Sequence, residues 1–149
     1  MTRRILISIV LAVALVPGAR AQAAPSISPD VDAVATGGYW TLGDQEGHYR
    51  LIIVSGGFEH VVSQIYLQWL AQPASPDDSV TVVASIELTD IDSGGWALSD
   101  PQFARRDTHW EATVDGQNSH MDPMPQAQWL VILGTPGKYT VAEERSKPQ

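Results

Sequence analysis

From Ser79 to Thr89 the chain reads SVTVVASIELT, placing Val80, Val82, Ala84, Ile86 and Leu88 on one face and Ser79, Thr81, Ser85, Glu87 and Thr89 on the other. A period of two is the signature of a strand with one dry and one wet face, and only Val83 breaks it. His109 to Val114 (HWEATV) alternates in the same way. Two further runs, Leu51-Ile52-Ile53-Val54 and Trp129-Leu130-Val131-Ile132-Leu133, are apolar at every position and require cover on both sides. Short β-branched and aromatic runs separated by Gly, Pro, Asp, Asn and Ser predict strands over 39–42, 48–55, 60–71, 79–89, 96–98, 109–114, 127–133 and 138–143.

This pattern predicts an all-β fold, an antiparallel β-sandwich of about eight strands with Greek-key or jelly-roll-like connections. Ser99-Asp100-Pro101 joins a capping residue to a proline at a first helical position, which predicts one short helix over 101–106. That helix, the preceding chain or a partner surface is expected to cover the outer side of the two apolar runs. Gly-Gly-aromatic recurs as GGYW at Gly37, GGFE at Gly56 and GGWA at Gly94, but the flanking sequences do not match. The three are read as turns that use glycine at positive φ and then place a ring at a strand start, not as a repeat.

Arg3 and Arg4, the apolar stretch from Ile5 to Val16 and the small residues Ala19, Ala21 and Ala23 have the layout of a secretory signal peptide over 1–21, cut after Ala21 or Ala23. The apolar stretch is shorter than the roughly 20 residues a spanning helix needs, so no membrane span is expected after cleavage and the address is periplasmic or secreted. A flexible lead-in over 22–36, one β domain over 37–143 and a tail over 144–149 are expected to follow. Loss of Arg3, Arg4 and Arg20 leaves six basic against seventeen acidic residues, a net charge of −11. Such a field repels phosphate backbones and anionic lipid and attracts cationic partners, which argues against nucleic-acid binding. With no cysteine, disulfides and thiolate metal sites are excluded and the core alone must hold the fold.

Asp92-Ser93-Gly94-Gly95 resembles the nucleophile motif of the trypsin-like serine proteases, with His48 and His60 earlier in the chain. Ile91 stands where that motif has glycine and Trp96 where it has proline, and the two-barrel fold of that family exceeds this chain in length. A small serine hydrolase acting through Ser93 is the enzymatic alternative. Asp90 and Asp92 are spaced like the opening of a calcium loop, but Gly94, Leu98 and Pro101 occupy the later ligand positions. A turn in a hairpin joining the 79–89 and 96–98 strands is the plainer reading. His120, Met121 and Met124 place an imidazole beside two thioethers, a set suited to Cu(I), although the methionines serve equally as core plugs. Trp40, Trp69, Trp96, Trp110 and Trp129 are read as core rings, and Arg105 and Arg106 as balancing Asp100 and Asp107.

No cofactor is implied. The expected function is a non-catalytic, exported binding or accessory module of the cell envelope that takes a protein partner, or forms a homo-oligomer, through outer apolar strand faces. Within that class, an inhibitor of a cationic secreted enzyme such as lysozyme and a periplasmic copper-binding protein are the alternatives.

Overall fold

The computed structural model describes residues 27–145 except 58, 93, 94 and 119. In chain order they form β1 (Val31–Leu42), β2 (Gln45–Gly56), β3 (Val62–Ala71), β4 (Thr81–Glu87), a one-turn helix α1 (Thr89–Asp92), β5 (Ala97–Arg106), β6 (His109–Gln117), β7 (Gln126–Leu133) and β8 (Tyr139–Arg145). The strands make two four-stranded sheets, ordered β1-β2-β3-β4 and β5-β6-β7-β8, and every neighbouring pair is antiparallel. The all-β class and the eight antiparallel strands are as the alternation predicts. The connections are not Greek-key or jelly-roll crossovers: each sheet is a meander, in which every strand pairs with the next along the chain. Gly43, with φ of 61°, turns β1 into β2, and Asp107, with φ of 31°, turns β5 into β6.

The signal-peptide expectation over 1–21 lies outside the described residues. β1 starts at Val31, inside the stretch read as a lead-in, and β8 runs to Arg145, beyond the expected domain end. In β1 the inward positions of the alternation include Ala33 and Ala35, small residues that leave only a faint apolar signature.

Residues from both sheets build a single core. Leu51, Ile53, Ile65, Leu67, Trp69, Val114 and Val131 are completely or almost completely buried, and all five tryptophans lie in this cluster or pack against it. Two hydrogen bonds tie the sheets at one point: Tyr49 Oη and Trp69 Nε1 both donate to the Gly134 carbonyl, at 3.1 and 3.0 Å. A second tie lies at buried Ser63. Its N–H donates to the Trp96 carbonyl at 2.9 Å, its Oγ accepts the Leu98 N–H at 3.0 Å, and it pairs with Ser55 Oγ at 2.7 Å. The β1 and β5 edges meet where a side chain on Gly37 would strike the Phe103 ring at 2.8 Å.

The one residue out of period, Val83, marks a real irregularity. Ala84 pairs with Trp69 and Val82 with Leu70, so Val83 is the extra residue of a β-bulge. The predicted helix over 101–106 is instead the body of β5. Pro101 sits where the β5–β6 ladder skips from Ser99 to Gln102, on an edge strand, so its missing N–H costs no ladder bond, and Asp100 adopts a φ of 51° to make the bend. The short helix falls at 89–92, where a turn was expected. That segment does not close a hairpin: it carries the chain from β4 in one sheet to β5 in the other and drives Leu88 and Ile91 into the core.

Among the described residues no helix covers the outer side of the apolar runs. Ile52 and Val54 are half-buried beside their cross-strand partners Tyr66 and Gln64, while Ile132 remains 37% exposed.

Candidate functional site

Two features of this scaffold are open to a ligand or partner. The first is the β4 edge. β1 and β5 abut each other, and β8 (YTVAEER) carries three charged residues of the kind that discourage strand pairing. β4 has neither protection. From Ser79 to Ile86 the sequence is uncharged, and Val80, Val82 and Val83 are 57%, 45% and 40% exposed. The expected dry face of this segment is therefore dry only toward its C-terminal end, where Ala84 and Ile86 are partly buried and Leu88 is fully buried. Carboxylates bracket the apolar stretch, with Asp77 and Asp78 before it and Glu87 and Asp90 after it. Val80 precedes the strand, and Val83 is splayed by the bulge.

The second feature is a pair of histidines. The β2–β3 turn carries His60 and the β6–β7 loop carries His120, and the two rings lie with centroids 4.5 Å apart and planes tilted by 30°. Both residues are exposed. The other two histidines are engaged: His48 Nδ1 bonds the Gly38 carbonyl at 2.9 Å, and His109 lies 3.8 Å from the Glu111 carboxylate. His120 is fixed by its backbone N–H, which donates to Asn118 Oδ1 at 3.0 Å. Gly95, with φ of 70°, backs its ring; a side chain there would stand 3.3 Å from Cδ2. His60 also lines an open groove of about 530 Å³ with Asp30, Ser55, Val62 and Gln64.

Met121 and Met124 flank this loop with 57% and 55% of their surface exposed, so neither plugs the core. Thus the structure adds His60 to the His120, Met121 and Met124 set, which no local spacing foretold. Asp90 is exposed on α1, and the Asp92 backbone completes that helical turn. Ser93 lies outside the described residues. Among the described residues no group of three or more His, Cys, Asp or Glu is gathered for a metal ion.

The basic pair meets expectation only in part, since the Asp107 charge acts on Arg106 but Glu111 acts more strongly. Arg106 Nε donates to Glu111 Oε1 at 2.6 Å instead of balancing Asp100, while Arg105 lies 5.5 Å from the Trp110 ring centroid in a cation–π contact. The bond to buried Glu111, and its charge, raise the Arg106 pKa. Among the described residues no helix is long and apolar enough to cross a membrane. Comparison with protein-family models, with curated proteins and with solved structures finds no match to this chain.

Proposed function

We propose that this protein is an exported, non-catalytic binding module that accepts an extended segment of a partner protein as an added strand on β4. The observation that carries the reading is the unprotected edge: an uncharged segment from Ser79 to Ile86 with three exposed valines, next to a row of backbone groups that β3 leaves unpaired. Strand addition draws affinity from main-chain hydrogen bonds and specificity from alternate side chains. The flanking carboxylates specify the partner's chemistry, an apolar strand with lysine or arginine at its ends. A cationic secreted enzyme meets that description, which keeps the inhibitor reading within the same proposal.

The test is amide hydrogen exchange on isotope-labelled protein, alone and with the envelope fraction of its own organism. The expected result is added protection of the 80–86 amides, abolished by Val82→Glu and weakened by raised salt. If protection appears in the protein alone together with a doubled mass in solution, the occupant is a second copy. Protection elsewhere with β4 unchanged would refute strand addition.

A further inference from the structure

We propose that His60 and His120, with a thioether from the Met121–Met124 loop, form a Cu(I) site where the β2–β3 turn meets the β6–β7 loop. This site is separate from the β4 edge and does not depend on it.

The argument begins with what holds each histidine. His48 and His109 have partners within the protein, whereas the rings of His60 and His120 hydrogen-bond to none of the described residues. Two imidazoles from loops of different sheets are nevertheless brought face to face, with centroids 4.5 Å apart. Bonds of about 2.0 Å from one nitrogen of each ring to a shared ion span that separation once the rings turn from stacking to edge-on convergence. Both side chains are exposed, so no core packing opposes the rotation. Gly95 leaves the His120 ring room to move, since a Cβ there would lie 3.3 Å from its Cδ2.

The identity of the metal follows from the donor set. Zinc sites are built from four ligands, and among the described residues no third His, Cys, Asp or Glu joins the pair. Calcium requires many oxygens. Cu(I) accepts a low coordination number and selects imidazole and thioether donors, which are the donors present. Met121 and Met124 are long apolar side chains left more than half exposed on the loop that positions His120, so their thioethers are free to approach. The acidic chain, with net charge −8, attracts any cation and lets the soft donors discriminate.

The test is a Cu(I) titration of the purified protein under reducing conditions, in competition with a chromogenic chelator. One Cu(I) per chain is expected. His60→Ala and His120→Ala should each weaken binding by tenfold or more, and the double variant Met121→Leu/Met124→Leu should weaken Cu(I) at least tenfold while leaving Zn(II) binding unchanged. His109→Ala is the control for general cation attraction and should bind as the parent does. All five positions are at least partly exposed, and an unchanged circular dichroism spectrum confirms that each variant folds. Retention of parental affinity by His60→Ala would overturn the paired site, because binding would then lie in the 120–124 loop alone. Equal losses for His109→Ala would reduce the effect to charge and overturn it as well.

Discussion

Ser63 offers the sharpest test of how the two sheets are joined beside the histidine loops. It is 1% exposed, and its hydroxyl both accepts the Leu98 N–H and pairs with Ser55 Oγ. Ser63→Ala leaves the Leu98 N–H, at the buried start of β5, with no acceptor. An orphaned buried donor costs about 1–3 kcal/mol, and loss of the serine pair adds about 0.5–1 kcal/mol, so the substitution should destabilise by about 1.5–4 kcal/mol. Ser55→Ala removes only the pair, because Ser63 still accepts from Leu98, and should cost about 0.5–1 kcal/mol. Once Ser63 is gone, Ser55 has nothing left to lose here, so the double variant should match Ser63→Ala. Urea unfolding monitored by tryptophan fluorescence measures all three, provided the slope with denaturant stays constant. Equal costs for the two single variants, or simple additivity in the double, would show that the hydroxyl does not bear the inter-sheet link described here.

Three other outcomes follow from the geometry. Tyr49→Phe should cost about 1 kcal/mol at neutral pH by removing the bond to Gly134, a loss read by the same unfolding assay. Burial raises the Tyr49 pKa above 10.0, partly offset by Arg105, so the folded state holds the phenol proton more tightly than the unfolded chain does. The stability this contributes is fully present below pH 10 and is lost as pH rises through the folded value; the gap between parent and Tyr49→Phe should therefore narrow in alkali. Gly116→Ala places a Cβ 2.5 Å from Trp129 Cζ3 in a buried contact, and should lower stability by about 1–3 kcal/mol in thermal unfolding. Val80→Lys/Val82→Lys, on exposed positions, should change stability by less than about 1 kcal/mol while lowering concentration-dependent association measured by light scattering.

The fold was legible where side chains alternate and obscure where the backbone departs from regularity. SVTVVASIELT disclosed its strand, and its single misfit, Val83, fell on the bulge, because an extra residue reverses facing and so breaks period two. The second glycine of each Gly-Gly pair, at 38, 57 and 95, has positive φ, as the turn reading required, although Gly38 serves a strand irregularity and not a loop. Ser99-Asp100-Pro101 misled because a capping residue before proline suits a helix start as well as a bend in an edge strand; only pairing with β6 decides between them. The pairing of His60 with His120 escaped notice because local spacing rules address ligands on one element. Their contact is created by two turns from different sheets.

The β4 edge is also bounded by its own energetics. Fully burying a valine is worth about 1.5–3 kcal/mol, and the exposed fractions of Val80, Val82 and Val83 together amount to about one and a half whole side chains, or about 2–4 kcal/mol. A strand of seven residues presents outward hydrogen-bonding groups on about half of them, adding about 2–6 kcal/mol at the usual net value per bond. Association costs about 4–15 kcal/mol before any of this is realised. Backbone pairing and the valines therefore come close to break-even, and an isolated apolar strand should bind no more tightly than about millimolar. A partner bound tightly must draw the remainder from cations set against Asp77, Asp78, Glu87 and Asp90. Basic residues at the ends of a synthetic strand peptide should then raise its affinity at low salt, and the gain should fade as ionic strength rises. A salt-independent gain would locate the missing energy in apolar contacts beyond the edge.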